Sequence, residues 1–546
     1  MTASAVLTRP LKDRATLCRA LESAVGAEHV HFDAEGVAAY EANTLPQSIK
    51  PLGAVRPALA EQVQQVVRIA SEYDVPIYPV SRGRNWGYGS ANPTRPGGIV
   101  LDCSRMVGIS EFDPELGLVT VEPGVSQGML HRFLVEQNAD LMVPATGAGP
   151  EASILGNALE RGYGITPYAD HFGAVTAMQA VLPDGTMYRS ALTEMGAPLI
   201  DRCFKWGVGP YIDGLLAQSN FAVVTRATIT LAPRPERGEG FFFSLRREEH
   251  LEGAVEAVRR ITREAGGNIG AINLMNRRRV LSMMVPYPRE QVGEAGVMDE
   301  ILLKHLADQN GVEPWMGAGV IYGNRQMNAA VKAVVRRHLR PYTKQLKFVT
   351  LSFAQRLQRW LNRLPAAFAP GLRKQIHTVE GALRNFAGEP TEVALPLAYW
   401  KSGTMPTDGT PLNPARDGCG LIWYSPLVPT ITNTVRDYVQ MVERVCLAHR
   451  IEPLITLTSL SHRCFDSTVP LLFDRDDPAE RQRATDCFDT LLSQGRSRGL
   501  LPYRAGINAM PQMVDPDRPY WRLVGRLKQA IDPQRLISPG RYCPAE

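Results

Sequence analysis

The chain of 546 residues has eight cysteines but no Cys-x-x-Cys pair. They stand at 18, 103, 203, 419, 446, 464, 487 and 543. That scatter speaks against a zinc ribbon or thioredoxin-like centre and predicts reduced thiols in a cytoplasmic protein. No run approaches the roughly 18 apolar residues of a membrane span, and residues 1–27 lack the apolar core of a signal peptide. No block of five or six like charges occurs. The densest cluster, Arg277-Arg-Arg279, is too short to imply nucleic acid and is expected to be a solvated surface group. His-Glu-x-x-His and P-loop motifs are missing, and Ser81 and Ser153 have no sequence reason to be nucleophiles.

What is present is globular in character. A charged fraction of 21% beside 44% hydrophobic residues is that of a soluble protein. The length requires more than one domain, because single cores rarely exceed roughly 250–300 residues. Apolar spacing predicts helices over 14–25 and over Ala60–Tyr73, the second with Val63, Val66, Val67 and Ala70 on one side. Strands are expected at Val75–Val80, Gly98–Asp102 and Leu118–Glu122, with a helix over Met129–Glu136, so the first unit mixes α and β. Val175–Val181 and Ala222–Leu231 read as further strands, and Pro233-Arg-Pro235 closes the unit. Beyond it, a strand at Phe241–Leu245 and a helix over Glu248–Glu264 open a region with longer helices and a Pro-Gly-Thr-rich insertion at 402–414.

The stretch Pro79–Asn92 carries Gly83, Gly87 and Gly89, with Arg82 and Arg84 among them. Glycine lets backbone N–H groups approach a ligand, successive N–H groups form an anion-binding concavity, and arginine adds charge. This is the expected cradle for a pyrophosphate. No Gly-x-Gly-x-x-Gly opens a helix here, so a Rossmann site is not favoured. Residues 145–164 are rich in Gly, Ala and Ser and include Leu155-Gly-Asn-Ala158 and Gly162-Tyr-Gly164, small enough for backbone to lie against a flat ring system.

Several segments in one order carry a resemblance: Gly83-Arg-Asn-Trp-Gly-Tyr-Gly89, Glu122-Pro-Gly-Val125, Gly162-Tyr-Gly-Ile-Thr-Pro-Tyr-Ala-Asp-His-Phe172, Lys205-Trp-Gly-Val-Gly-Pro210, Pro502-Tyr-Arg504 and Asp532-Pro-Gln-Arg-Leu-Ile-Ser-Pro-Gly540. Together they resemble the vanillyl-alcohol oxidase and p-cresol methylhydroxylase family of FAD enzymes over most of the chain. The resemblance implies an α+β, two-domain FAD-binding fold. Its flavin domain would span 1–238 and its substrate cap 239–500, with 501–546 returning to the flavin domain. It implies oxidation of a para-substituted phenol (a 4-alkylphenol, a 4-hydroxybenzyl alcohol or an allylic phenol). Hydride would pass from the benzylic carbon to flavin N5, leaving a quinone methide that water or another nucleophile attacks. Electrons would go on to O2 or to an acceptor protein such as a cytochrome. A homodimer is implied, with neither membrane nor nucleic acid as partner.

Residue by residue, the resemblance implies FAD contacts from Arg82, Gly83, Arg84, Asn85, Gly87, Tyr88 and Gly89. Further contacts are implied from Ser153, Gly156, Asn157, Gly162 and Arg541, with Arg463 at the flavin N1–C2 edge. Tyr88, Tyr503 and Arg504 would converge on the phenolate oxygen, where donors stabilise developing charge. Asp170 would be a buried general base near flavin N5, and His171 beside it is read as structural. The chain departs from the family at Ala169, mostly Gly elsewhere, and at Cys464-Phe-Asp-Ser467, where a Met-His-His stretch is usual. Leu421 stands where relatives carry a tethering histidine, so the FAD is predicted to be non-covalent, with Tyr399 the remaining candidate for a tether. The alternatives are an FAD-dependent dehydrogenase of a 2-hydroxy acid or sugar alcohol, and a flavin-binding protein without turnover.

Overall fold

A computed structural model describes residues 13–363, 365, 370–402 and 404–544. The expectations that fall on residues 1–12 and on Gly403 lie outside them. The first helix, Arg14–Val25, starts where the Asp13 carboxylate accepts the N–H groups of Ala15 and Thr16, and ends at Gly26. It packs Leu17, Leu21 and Val25 into one cluster with Val63, Val66, Val67 and Ala70 of helix Ala60–Glu72. That second helix is the crossover that two parallel strands require. It leads from Gly53–Val55 to Ile77–Val80 in a four-stranded sheet ordered Val30–His31, Gly53–Val55, Ile99–Asp102, Ile77–Val80.

A five-stranded antiparallel sheet follows, ordered Ile109–Asp113, Leu118–Val121, Val223–Thr230, Val175–Val181, Met187–Arg189. The end of the chain returns to the first sheet. The Ile77 N–H donates to the Leu536 carbonyl (2.8 Å) and the Ser538 N–H to the Ile77 carbonyl (2.8 Å). Lys528 pins this tail: its buried Nζ meets Asp532 at 2.5 Å and donates to the carbonyls of Asn220 and Ile537.

The remaining sheet is eight-stranded and antiparallel, ordered Thr343–Val349, Arg237–Leu245, Trp315–Gly323, Asn273–Asn276, Thr456–Ser459, Cys464–Phe473, Gly420–Tyr424, with Leu427–Pro429 also on Cys464–Phe473. Helices Leu251–Ala265, Arg325–Leu339, Thr432–Ala448 and Pro478–Ser497 share one apolar core with it. The strand expected at Phe241–Leu245 begins at Arg237, because its pairing with Trp315–Gly323 already starts at Arg237↔Gly323. The helix expected from Glu248 opens as a 3-10 turn over Glu248–His250, and the α-helix runs from Leu251 to Ala265.

Side chains alternate between the faces of a strand, and in Cys464–Phe473 this alternation sets up the site. Phe465, Val469 and Leu471 enter the helical core, and Ser467 Oγ lies 2.8 Å from the Tyr438 hydroxyl on a core helix. Asp466 and Thr468 therefore face the other way. No helix among the described residues is long and apolar enough to cross a membrane.

Candidate active site

A cavity of about 410 Å3 opens between the two units. The glycine-rich loop lines it with Arg82, Gly83, Arg84, Asn85 and Tyr88. Ser153, Gly156, Asn157 and Gly162 form a second wall, and Tyr503, Arg504 and Arg541 come from the C-terminal stretch. The eight-stranded unit closes it with Arg279, Leu421, Trp423 and Thr468, and with Leu395, Leu397 and Ala398 of the segment before the 402–414 insertion.

Tyr88, Tyr503 and Arg504, far apart in sequence, share this cavity. The Arg504 guanidinium lies 4.5 Å from the centre of the Tyr88 ring, a cation–π distance. The Tyr88 hydroxyl is 3.0 Å from Ser425 Oγ, and burial pushes its pKa up to about 12. Tyr503 packs edge-on against Tyr163, with ring centres 5.7 Å apart, and burial holds its hydroxyl protonated. Arg504 donates to Asn85 Oδ1 and sits 3.7 Å from the Glu160 carboxylate, which also binds Arg541. The Arg504 Nε is buried without a hydrogen-bond partner. Two phenols and a guanidinium thus share one cavity, and burial keeps both phenols protonated.

The rest of the lining fits a pyrophosphate and a flat ring. The Arg84 Nε is buried and unpartnered, and burial lowers the basicity of that guanidinium, the situation of a cation that awaits an anion. Gly156 lines the cavity, and a Cβ there would come within 2.7 Å of Ser81 Oγ, so glycine lets this wall pack closely on the glycine-rich loop. Ser153 is not a nucleophile, since its hydroxyl donates to the Pro123 carbonyl (2.6 Å) and accepts the Gly156 N–H (2.9 Å).

Four expected positions lie outside the lining. Gly87 and Gly89 have φ of 76° and 123°, but they face protein: a Cβ at Gly87 would sit 2.2 Å from Trp423 Cδ1, and one at Gly89 would sit 2.9 Å from Ile507 Cγ1. Their role is to admit neighbouring side chains. Asp170, expected to be buried, is exposed, and its Oδ1 accepts the Gly173 N–H at 2.8 Å, closing a turn. Arg463 is also exposed; its carbonyl accepts the Thr430 N–H and its own N–H donates to Ser461 Oγ. His171 is buried and kept neutral by burial, with a pKa near 4, beside Asn157.

Sequence reading missed two groups. Asp466 is 7% exposed, its Oδ1 has no partner, and burial raises its pKa to about 7 against the pull of Arg504. Its charge also raises the pKa of Tyr88 and Tyr503, which places it beside the clamp. The clue was the departure at Cys464-Phe-Asp-Ser467. The other group is Arg279, expected on a solvated surface but found in the cavity. Of its neighbours, Arg278 is buried and ion-paired to Glu452 at 2.6 Å and to Glu300 at 3.1 Å. Tyr399, the candidate tether, is 2% exposed, and its hydroxyl donates to Asp417 at 2.5 Å. Leu397 and Ala398 reach the cavity in its place.

Comparison with known proteins agrees with this geometry. Residues 51–191 match the "FAD binding domain" family model. A 1'-carboxy-chondrochloren decarboxylase of Chondromyces crocatus is 35% identical, with 96% of each chain covered. The flavoprotein subunit of a hydroxylating 4-cresol dehydrogenase from Pseudomonas putida is 25% identical over 95% of this chain and 93% of its own. The crystal structure of p-cresol methylhydroxylase with substrate bound superposes with a TM-score of 0.85 at 24% identity, covering 97% of this chain and 96% of that one. A two-domain α+β architecture, an anion-ready loop and full-length relatives lead to one assignment: the chain belongs to the vanillyl-alcohol oxidase and p-cresol methylhydroxylase family of FAD-dependent oxidoreductases.

Proposed function

We propose that the protein oxidises a para-substituted phenol at its benzylic carbon, with FAD held non-covalently. The observation that carries this reading is that Tyr88, Tyr503 and Arg504 line one cavity, with Arg504 stacked on the Tyr88 ring. Such donors stabilise a phenolate oxygen in a site shielded from water. The loop residues Gly83, Arg84 and Asn85, the wall at Gly156 and Asn157, and Arg541 hold the cofactor. When bound, FAD supplies the two-electron oxidant.

The clamp lowers the cost of removing the phenol proton, and Asp466, whose charge acts on both Tyr88 and Tyr503, is the group we assign to take it up. Two-electron oxidation of the phenolate then leaves a quinone methide. Glu160 is the one carboxylate among the described cavity-lining residues, and it is tied to Arg504 and Arg541. Glu160 is therefore not free to activate water.

That supports a variant of the reaction suggested by the decarboxylase relative. Where the para chain carries a carboxylate on the carbon next to the benzylic one, the C–COO− bond breaks. Its electron pair becomes the side-chain double bond, the ring regains aromatic phenolate and CO2 leaves. Charge and atoms balance without water.

The test is anaerobic mixing with p-cresol, vanillyl alcohol, 3-(4-hydroxyphenyl)propionate and a 2-hydroxy acid, followed by air. Phenols should bleach the yellow absorbance, and air or an added cytochrome should restore it according to the natural acceptor. Arg504→Ala and Tyr503→Phe should keep FAD, and Arg504→Ala should slow bleaching by about 100-fold. Bleaching by the 2-hydroxy acid alone would overturn the reading.

A further inference from the structure

Three arginines in a row leave a helix roughly 100° apart, because 3.6 residues make a turn. Helix Arg277–Met284 is fixed at its start by Asn276, whose side chain accepts the Arg279 N–H (3.1 Å) and donates to the Pro453 carbonyl (2.8 Å). The rotation sends Arg278 toward Glu452 and Arg279 into the cavity.

Arg279 has no carboxylate partner there. Its recorded side-chain hydrogen bond is a long one to Ser282 Oγ, 3.3 Å, and no ion pair among the described residues includes it. Burial alone pushes its pKa down to about 10, with no other charged group acting on it. Arg279 is half-buried, and an unpaired guanidinium in a cavity wall is costly unless a ligand supplies the anion.

The sheet register says where it stands. Asp466 pairs with Thr458, which pairs with Asn273; Thr468 pairs with Thr456, which pairs with Met275. The strand Asn273–Asn276 therefore runs from the Asp466 rung past the Thr468 rung before the helix begins. Arg279 lies beyond that second rung, away from the Asp466 end, where the phenol clamp sits. Around it the lining is apolar, with Leu395, Leu397, Ala398 and Leu421. One isolated cation in an apolar wall, opposite a phenol clamp, is complementary to an anion at the far end of a para substituent.

We infer that Arg279 is the anchor for a carboxylate on the para side chain of the substrate, so that the enzyme takes phenolic acids in preference to neutral alkylphenols. This rests on the phenol reading for the clamp end of the ligand, but the anion end can be tested by itself.

The experiment titrates the FAD-loaded protein anaerobically with 3-(4-hydroxyphenyl)propionate, 4-propylphenol and the hydroxyl-free 3-phenylpropionate, following the visible flavin absorbance. It compares wild type with Arg279→Gln and Arg279→Lys. The wild type should bind both acids. Arg279→Gln should weaken both by roughly 30-fold or more, Arg279→Lys should recover part of that, and 4-propylphenol should bind all three alike. Equal affinity of wild type and Arg279→Gln for the acids overturns the inference, even with phenols oxidised normally. An Arg279→Gln protein that loses FAD while its loaded fraction binds acids normally overturns it too, since the anion would then belong to the cofactor. If 4-propylphenol neither binds nor reacts, yet the acids respond to Arg279 as stated, the phenol reading fails and the anchor stands.

Discussion

At Asp466 burial and Arg504 act in opposite directions, and burial wins. A carboxyl raised from 3.8 to about 7 is neutral in the folded protein over a range where the unfolded chain is ionised. The folded state then binds more protons, so stability falls as pH rises from about 4 to about 7 and levels off above. At about 1.36 kcal/mol per unit, the difference is roughly 4 kcal/mol. Asp466→Asn should remove this slope, and its stability relative to wild type should rise by a comparable amount between pH 4 and pH 8 in urea titrations. In the proposed reaction the sign for activity is opposite, because the Asp466 carboxylate would accept the phenol proton: flavin reduction by phenols should accelerate through pH 7 in wild type and lose that step in Asp466→Asn. A rate profile unchanged by the substitution would leave Asp466 a purely structural group. That Tyr88, Tyr503 and Arg504 line one cavity was legible because each sits in a motif. Asp466 and Arg279 were not, since nothing local tells which face of a strand or helix meets a cavity. Asp170 was misread for the same reason, its neighbourhood being a turn open to solvent.

The glycine-rich loop is the element whose sequence said most about the site, yet its glycines divide into two kinds. Gly83 lines the cavity, whereas Gly87 makes room for Trp423 of the eight-stranded sheet. Gly87→Ala combines a left-handed backbone, roughly 1–2 kcal/mol for a residue with a Cβ, with overpacking of about 1–3 kcal/mol. Gly97 is the control: its φ is 86° but nothing lies within 4 Å of a Cβ placed there. Gly87→Ala should therefore be less stable than Gly97→Ala by about 1–3 kcal/mol in urea. It should also lose FAD on gel filtration, because Trp423 and the loop both line the cavity. Equal destabilisation of the two variants would mean that the backbone conformation, and not the contact with Trp423, is what the glycine serves. Strands and helices near this loop were readable from their periodicity to within a few residues. The longer strand from Arg237 was not, since its start is set by pairing with Gly323, far away in sequence.

On the scale of the whole molecule, the cavity is lined by both units, so a ligand that fills it joins them. A group bound only to the folded state stabilises it by RT ln(1 + [L]/Kd), about 1.4 kcal/mol for each tenfold excess over Kd. Whether added FAD has this effect depends on the tether. Leu421 has no atom that could form one, and the Tyr399 hydroxyl is committed to Asp417 while its neighbours Leu397 and Ala398 reach the cavity. Burial also raises the Tyr399 pKa, which keeps the phenol protonated and a poor nucleophile. The flavin should therefore exchange with solution. Acid precipitation should leave the yellow colour in the supernatant, and free FAD added to partly stripped protein should raise the Tm steadily with its concentration. Colour that stays in the pellet and maps to a peptide containing Tyr399, with a Tm indifferent to added FAD, would replace this account by tyrosyl attachment. It would also require the Tyr399–Asp417 bond to open when the cofactor is installed.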